Sequence, residues 1–193
     1  MRIYRLKPDT QYRLMYPEDK VYESEHWEFK AQPLINKLPL NFSGHFSKGA
    51  DADYPKPDIA YLGMATFALR ADVADALAEE ILEPAGELLP FTVDGELWYC
   101  LNVTACAPQE ALDKSQSRYE IEEDGLQLNL LRGAFNVDAL PETSLFKMPH
   151  DNYTDIYCAD RQESDDQVIG NFFAAVAAHG YTGITFIDVY SGS

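Results

Sequence analysis

Acidic residues form the densest clusters of chemically active side chains in the sequence. One cluster surrounds an Asp-Gly dipeptide and consists of Glu120, Glu122, Glu123 and Asp124, and the other consists of Glu163, Asp165 and Asp166. Calcium binding needs oxygen ligands at regular spacing around a central glycine, and the first cluster lacks that spacing. Acid–base catalysis by paired carboxylates needs a concave site, which spacing alone does not show.

The two clusters differ in whether local structure explains them. Carboxylates at the N-terminus of a helix stabilise it, which accounts for Asp165 and Asp166 ahead of the last apolar run. The first cluster has no such explanation. We therefore expect it to be either a solvated face or a surface that docks a cationic partner.

Histidine and cysteine are too scattered to indicate a catalytic or metal centre. The residues are His26, His45, His150 and His179, and Cys100, Cys106 and Cys158. No second histidine stands at i+3 or i+4, no Cys-x-x-Cys pair occurs, and no nucleophile elbow or glycine-rich phosphate loop is present. We predict no catalytic residue, no metal site and no cofactor, and reduced, mostly buried cysteines that act as small hydrophobic side chains.

The charge of the chain is strongly and unevenly negative. There are 15 Lys and Arg against 32 Asp and Glu in 193 residues, a formal net charge of −17. Residues 1–62 hold nine of each sign, whereas residues 63–193 hold six basic and 23 acidic side chains. Nucleic acids and anionic membranes attract basic surfaces, so neither is an expected partner. A basic protein is an expected partner, although acidity also serves solubility.

The composition and the longest uncharged stretch indicate the kind of protein this is and where in the cell it is located. With 46% hydrophobic and 12% aromatic residues, the chain has the composition of one globular domain or two small coupled ones. No apolar run of signal-peptide length follows the N-terminus. The uncharged residues 167–187 are broken by Asn171, His179, Gly180 and Gly183 into a helix, a turn and a strand. We expect a cytoplasmic protein without a membrane span.

Local patterns divide the chain near residue 57. Residues 1–57 are rich in tyrosine and proline and are predicted to pack on or wrap the remainder, and residues 58–193 are predicted to form an acidic α+β domain. Apolar residues at 59–62 and 65–69 predict one or two short strands. Asp72 is the predicted N-cap of a helix that ends near Glu83, before Pro84 and Gly86.

Two Asp-Gly dipeptides predict β-hairpins, because both residues accept the backbone conformations of tight turns. Asp94-Gly95 separates apolar runs at 88–93 and 96–103. Asp124-Gly125 separates residues 119–122 from 126–130, in which apolar side chains alternate with acids and amides.

The last third predicts a strand at 155–158, a helix from about Asp165 to Gly180 and a closing strand at 184–189. The apolar stripe of this helix consists of Ile169, Phe172, Phe173 and Val176. A strand–helix–strand order therefore occurs twice, at 59–93 and 155–189. The predicted fold class is α+β, a mixed, mainly antiparallel sheet with β-hairpins and two principal helices.

Short motifs spread over residues 58–189 resemble a known family. They are Asp58-Ile59, Ala76-Leu77, Leu89-Pro90, Leu101-Asn102-Val103, Ala111-Leu112-Asp113-Lys114-Ser115-Gln116-Ser117, Phe135-Asn136-Val137-Asp138-Ala139-Leu140-Pro141 and Gly180-Tyr181-Thr182-Gly183-Ile184-Thr185-Phe186. In this combination the chain resembles the Imm-eleven immunity-protein family of bacterial polymorphic toxin systems. The resemblance implies a cytosolic neutraliser of a cognate toxin and carries over no catalytic residues.

We therefore expect an intracellular immunity protein, not an enzyme, that neutralises a basic cognate toxin domain by occlusion. The two acidic clusters together are the predicted toxin-binding residues, because electrostatic complementarity gives specificity and fast association. One alternative is a small-ligand-binding module or enzyme with a pocket between residues 1–57 and the acidic domain. A deep tyrosine-lined pocket beside a histidine or carboxylate of shifted pKa would favour that alternative. A second alternative is an assembly subunit, which would show a large apolar patch in a symmetric dimer.

Overall fold

The structure is a computed structural model that describes residues 1–24, 27–38, 42–63, 66–161 and 170–192. These residues form a mixed α+β fold of mainly antiparallel sheets with hairpins and short helices, and the predicted fold class is confirmed. None of the described helices has the length and apolar character needed to cross a membrane.

The strands and helices follow in chain order. The strands are β1 (Arg2–Pro8), β2 (Met15–Pro17), β3 (Ser43–Phe46), β4 (Ile59–Tyr61), β5 (Phe67–Arg70), β6 (Gly86–Val93), β7 (Glu96–Val103), β8 (Leu112–Ile121), β9 (Gln127–Phe135), β10 (Leu145–Phe146), β11 (Tyr157–Asp160) and β12 (Ile184–Ser191). The α-helices are α1 (Asp19–Tyr22), α2 (Ala71–Leu77), α3 (Glu83–Ala85) and α4 (Phe172–His179). A π-helical turn at Ala78–Leu82 joins α2 to α3, and 3₁₀ turns lie at Gln109–Ala111, Val137–Ala139 and Pro149–Asp151.

The strands form three sheets. A six-stranded sheet has the order β2-β3-β6-β7-β5-β4 and is antiparallel except between β3 and β6. A four-stranded antiparallel sheet has the order β10-β11-β1-β12, and β8 and β9 form a separate hairpin. The predicted N-terminal segment supplies β1 to the interior of one sheet and β2 and β3 to the other. The division at residue 57 stays a prediction.

The two strand–helix–strand units share one topology. β5 and β6 both pair antiparallel with β7, which lies between them, and β11 and β12 pair in the same way with β1. The two strands that flank each helical segment are therefore parallel to each other, with one antiparallel strand between them, as in a split β-α-β unit. Both α2 and α4 bury their apolar side chains in one shared core.

Three apolar cores cover the faces of the two larger sheets. The first holds Tyr4 together with residues of α2 and α4, and the third holds Ile3 on the opposite face of the four-stranded sheet. Adjacent residues of β1 enter different cores because successive side chains of a strand face opposite sides. In the second core, Trp98 of the six-stranded sheet packs among residues that include Phe29 and Phe46. The proline-rich part of the chain thus covers one face of that sheet.

The first predicted helix corresponds to α2 and its continuation through α3, and its bounds differ from the prediction. The N-cap position is occupied by Arg70, not Asp72, and its guanidinium donates to Asp72 Oδ1 at 2.6 Å and Oδ2 at 2.8 Å. These two parallel hydrogen bonds hold the Asp72 carboxylate on Arg70, so this carboxylate does not cap the helix. Pro84 does not end the helix, because it lies inside α3 in a first turn that needs no N–H donor; the helical segment ends at Ala85, before Gly86, the second predicted stop signal.

The last helix begins later than predicted. Asn171 is its N-cap, with the side chain accepting a 3.2 Å hydrogen bond from the Ala174 N–H. Gly170 precedes the helix with φ +77°, whereas the predicted start at Asp165 and the stripe residue Ile169 lie outside the described residues. The predicted end at Gly180 is confirmed by its φ of +67°. The preceding strand, β11, begins two residues later than predicted.

Both predicted hairpins are confirmed. Asp94 and Gly95 have φ of +51° and +87°, which are the left-handed conformations of a two-residue turn. In the second hairpin the Gly125 N–H donates to Glu122 O at 2.9 Å, and Gly125 has φ +86°. The connection between β8 and β9 is therefore longer than an Asp-Gly turn alone.

Candidate functional site

The first acidic cluster lies at the outer end of the β8–β9 hairpin. Its members, Glu120, Glu122, Glu123 and Asp124, are all exposed. Asp124 Oδ1 accepts the Leu126 N–H at 3.0 Å, and Glu120 Oε2 accepts Asn129 Nδ2 at 2.7 Å. These two carboxylates therefore shape the hairpin as well as charge it. The second cluster, Glu163, Asp165 and Asp166, lies outside the described residues.

The outer hairpin also exposes apolar side chains, which the sequence alternation does not reveal. Ile121 is 62% exposed, Leu126 55% and Leu128 41%. Burial begins only at the base, where Leu130 enters the third core, and every residue from 113 to 129 is exposed or half-buried. Alternation predicts which side chains share a face, but it does not show whether anything packs against that face. Uncovered apolar groups among charges are typical of interaction surfaces.

Charge changes sign along the hairpin. Three exposed basic residues, Lys114, Arg118 and Arg132, lie on β8 and β9 away from the turn, whereas the four acidic residues lie at or beside it. The hairpin therefore presents a negative tip on a more positive base.

A cavity of about 440 Å³ opens beside this base. Its lining includes Lys7 of β1, Tyr61 of β4, Lys114 and Tyr119 of β8, and His150 and Asp151 of the 3₁₀ turn. Lys7 comes from residues 1–57 and the other lining residues from 58–193. The cavity therefore lies between the two predicted parts of the chain.

One wall of the cavity is a half-buried ion network around Asp155. Lys7 Nζ lies 2.6 Å from Asp155 Oδ1, and Arg5 Nη1 lies 3.5 Å from Asp155 Oδ2. The carboxylate is 14% exposed and the Arg5 side chain 7%. Two cations therefore face one carboxylate, an excess of one positive charge, in surroundings that weaken screening.

A second wall contains His150 and Asp151, which contact the buried Tyr157. The Tyr157 hydroxyl donates to Asp151 Oδ2 at 2.9 Å and lies 3.3 Å from His150 Nε2. Burial raises the pKa of Asp151 to about 6 and lowers the pKa of His150 to about 4. At neutral pH the aspartate is therefore mainly ionised and the histidine neutral.

This network favours one tautomer of His150. Tyr157 has one hydroxyl proton, which the ionised Asp151 accepts, so a hydrogen bond between the ring and Tyr157 needs the proton on His150 Nε2. His150 Nδ1 is then an acceptor. It is buried and has no hydrogen-bond partner among the described residues.

The backbone that follows is strained beside the cavity. Asn152 and Tyr153 adopt left-handed conformations in succession, with φ of +57° and +62°. Such a conformation costs Tyr153 about 1 kcal/mol or more, whereas asparagine adopts it more readily. Strain of this kind concentrates at functional sites.

Metal-binding and nucleophilic groups are sparse in the described chain. No three of its His, Cys, Asp or Glu residues are grouped so as to hold a metal ion, and His26 lies outside it. Cys100 and Cys158 are buried, as predicted for most cysteines, and burial raises the pKa of each to about 12. Cys106 is exposed.

Comparison of the chain with protein-family models and with curated proteins finds no match in either case. The immunity-family resemblance therefore rests on the short motifs of residues 58–189, and functional conclusions rest on the geometry of the hairpin and the cavity.

In the sequence, His150 stands out only as one of four scattered histidines, and Lys7, Tyr119 and Asp151 do not stand out at all. The pairing of β1 with β11 brings Lys7 close to residues 149–155. The β8–β9 hairpin supplies Tyr119 to the same cavity. The one local signal is Pro149-His150-Asp151-Asn152, a turn-forming sequence with two ionisable groups.

Proposed function

We propose that this protein is an immunity protein that binds a basic toxin domain through the outer half of the β8–β9 hairpin. The observation that carries the proposal is the uncovered tip, where exposed Ile121 and Leu126 lie among four carboxylates. The tip has the composition of a docking surface because apolar side chains contribute affinity and the acidic ones contribute specificity.

Charge supports a basic partner. The chain carries a net charge of −17, with the whole excess after residue 62, and the tip concentrates four acidic side chains within five residues. Acidic groups at an interface rim mainly accelerate association with a positive partner. Toxin domains that act on nucleic acids or membranes are expected to be basic, because their targets carry phosphates. An acidic tip would then occupy the surface that the toxin uses for its target.

A growth-protection assay tests this function. The reading frame next to the gene for this chain is the first source of the toxin, and its induction should arrest growth unless this protein is co-expressed. Reversal of Glu120, Glu122 and Glu123 to lysine should abolish protection. It should also slow association by at least about tenfold in surface plasmon resonance at low salt.

A matched variant separates the tip from the total charge. Glu79, Glu80 and Glu83 are exposed on the helical segment after α2, and their reversal to lysine changes the net charge equally. This control should retain protection. Equal loss in both variants contradicts the hairpin as the docking surface, and an adjacent product that is harmless or unbound contradicts the immunity function itself.

A further inference from the structure

The β8–β9 hairpin has one open strand edge. Among the described strands β8 pairs with β9 alone, whereas β9 also approaches the four-stranded sheet, where Phe135 contacts Tyr190 of β12 with ring centroids 5.6 Å apart. Every residue of β8 after Leu112 is exposed or half-buried. The unpaired N–H and C=O groups of a strand edge pair readily with a strand of another chain, and a two-stranded hairpin is only marginally stable by itself. The open edge of β8 is therefore a surface to which a further strand can be added.

The regular part of this edge is its outer half. Between Asp113 and Arg118 the extra residues of the irregular register lie on β8, whereas between Arg118 and Ile121 they lie on β9. A bulge disrupts pairing on the strand that carries it. Residues 118–121 are therefore the part of β8 that best accepts a new neighbour.

An arginine pair at the start of this stretch has no counter-charge within the described chain. Arg118 lies directly opposite Arg132 of β9, both side chains are exposed, and neither forms an ion pair with a described residue. Like charges directly opposite each other destabilise two paired strands. A carboxylate supplied beside β8 by a partner would relieve this repulsion.

The charges of β8 reverse sign about Tyr119, with Arg118 before it and Glu120 after it. When a strand pairs antiparallel with a copy of itself, residues equally distant from the two-fold axis lie opposite each other. With the axis at Tyr119, Arg118 of each copy lies opposite Glu120 of the other, which gives two ion pairs. A parallel arrangement in register would instead place like charges together. The charge order therefore selects an antiparallel second copy.

The same arrangement covers an exposed apolar side chain. Ile121 is 62% exposed and lies two residues from Tyr119, on the same face of the strand. Across the two-fold axis, Ile121 of one copy is the diagonal neighbour of Tyr119 of the other, a distance that an aromatic side chain spans.

We propose that two copies of this chain associate through the open edges of β8, antiparallel about a two-fold axis at Tyr119, to form a four-stranded sheet in the order β9-β8-β8-β9. Because the regular edge is short, the dimer is weak, with a Kd in the micromolar range. Glu120 also belongs to the acidic tip. The proposal nevertheless concerns the protein by itself and does not depend on the immunity function.

Sedimentation velocity of the purified full chain tests the proposal without any toxin. Between about 5 and 500 µM the wild type should pass from monomer to dimer. Arg118→Glu places carboxylates opposite each other twice, and Glu120→Arg does the same with guanidinium groups, so each should weaken the dimer by at least about tenfold. The double variant with both changes restores two opposite-charge pairs and should dimerise as the wild type does.

A matched variant separates this contact from the total charge. Lys48→Glu, at an exposed position outside the hairpin, changes the net charge as Arg118→Glu does and should leave the dimer unchanged. The double variant also keeps the test independent of folding defects, because a misfolded hairpin would not regain the dimer. A monomer at about 500 µM overturns the proposal. So does a dimer that Arg118→Glu and Lys48→Glu weaken equally, or a double variant that stays monomeric.

Discussion

The hydroxyl of Tyr157 donates a 2.9 Å hydrogen bond to a carboxylate oxygen of Asp151, yet the pKa of that carboxyl is raised, not lowered. Burial is the larger effect, and the hydrogen bond from Tyr157 opposes it only in part. Burial acts in the other direction on the adjacent His150, whose charged form is the protonated one. The same desolvation therefore makes Asp151 harder to ionise and His150 harder to protonate.

The two neighbours should change folding stability with pH in opposite directions. The pKa of Asp151 is about 6 in the folded chain against an ordinary 3.8, so its stabilising contribution is complete below pH 3.8 and is lost as pH rises through 6. The pKa of His150 is about 4 against an ordinary 6.5, so its contribution is complete above pH 6.5 and is lost as pH falls through 4. Over this interval the two effects offset each other in the wild type.

Single substitutions should separate these effects. In Asp151→Asn only His150 titrates at this site. As the pH falls from 6.5 to 4.5, the free energy of unfolding of this variant should decrease by about 1 kcal/mol more than that of the wild type. With His150→Gln the free energy of unfolding should rise by a similar amount over the same change. Urea unfolding at several pH values measures both differences, and parallel curves for the wild type and both variants would show that the two groups are not desolvated as described.

Two glycines with the same backbone conformation provide a test of close packing. Gly63 and Gly183 both have φ of +103°, but a Cβ at Gly63 meets no atom of the described residues within 4 Å. A Cβ at Gly183 would lie 2.2 Å from Ile59 O and 2.3 Å from Pro57 Cβ. Alanine at either position therefore incurs the same backbone strain of about 1–2 kcal/mol, and only Gly183→Ala adds a steric clash.

Thermal unfolding of the two variants should show this difference. The free energy of unfolding is expected to fall by about 1–3 kcal/mol more in Gly183→Ala than in Gly63→Ala, because the clash at Gly183 involves backbone atoms of the segment that leads into β4. Similar losses for both would mean that β12 does not approach β4 as closely as described.

The three cysteines should differ in reactivity. Cys106 is exposed and is expected to react with a thiol reagent in the folded protein, whereas the buried Cys100 and Cys158 should react only after unfolding. Because burial and the nearby Asp151 raise the pKa of Cys106, its reaction should accelerate well above neutral pH. Mass spectrometry after iodoacetamide labelling should find one modified site in native protein and three in urea. Labelling of Cys106→Ser under native conditions would contradict the buried positions of the other two.

Local chemistry explains which features the sequence could predict. The Asp94-Gly95 turn was predictable because positive φ at both residues follows from their side chains alone. The N-cap of α2 was not, because Arg70 binds the Asp72 carboxylate that would otherwise cap the helix. The late start of α4 depends on Asn171, a good N-cap that the apolar pattern around it concealed.

The cavity lay beyond sequence prediction for a different reason. Lys7 and Asp155 are 148 residues apart, and they meet only because β1 lies beside β11. The pKa shifts of His150 and Asp151 arise from burial, which depends on the whole fold. The charge of the hairpin tip was predictable from Asp124-Gly125 and its neighbours, but the exposure of Ile121 was not.

Asp58 joins the segment before β4 to the loop before β12, and its loss should be far more costly than the loss of a surface carboxylate. Its Oδ2 accepts the Thr182 N–H at 2.9 Å and the Thr182 hydroxyl at 2.8 Å, while Oδ1 lies 2.7 Å from Arg70 Nη1. Asp58→Asn keeps the size of the side chain but removes its charge and one acceptor oxygen. The expected loss is about 2 kcal/mol, because hydrogen bonds to a charged group are stronger and a half-buried donor is left unpaired.

Asp94 supplies the matched comparison. Its exposed carboxylate lies 3.4 Å from Lys56 Nζ, and asparagine is well tolerated at its turn position, so Asp94→Asn should change stability by no more than about 0.5 kcal/mol. Urea unfolding in low and high salt distinguishes the two sites further. The loss in Asp58→Asn should persist at high salt because its partners are half-buried, whereas any effect of Asp94→Asn should disappear. Equal losses, or a salt-sensitive loss for Asp58→Asn, would mean that Asp58 is a surface charge and does not hold the two segments together.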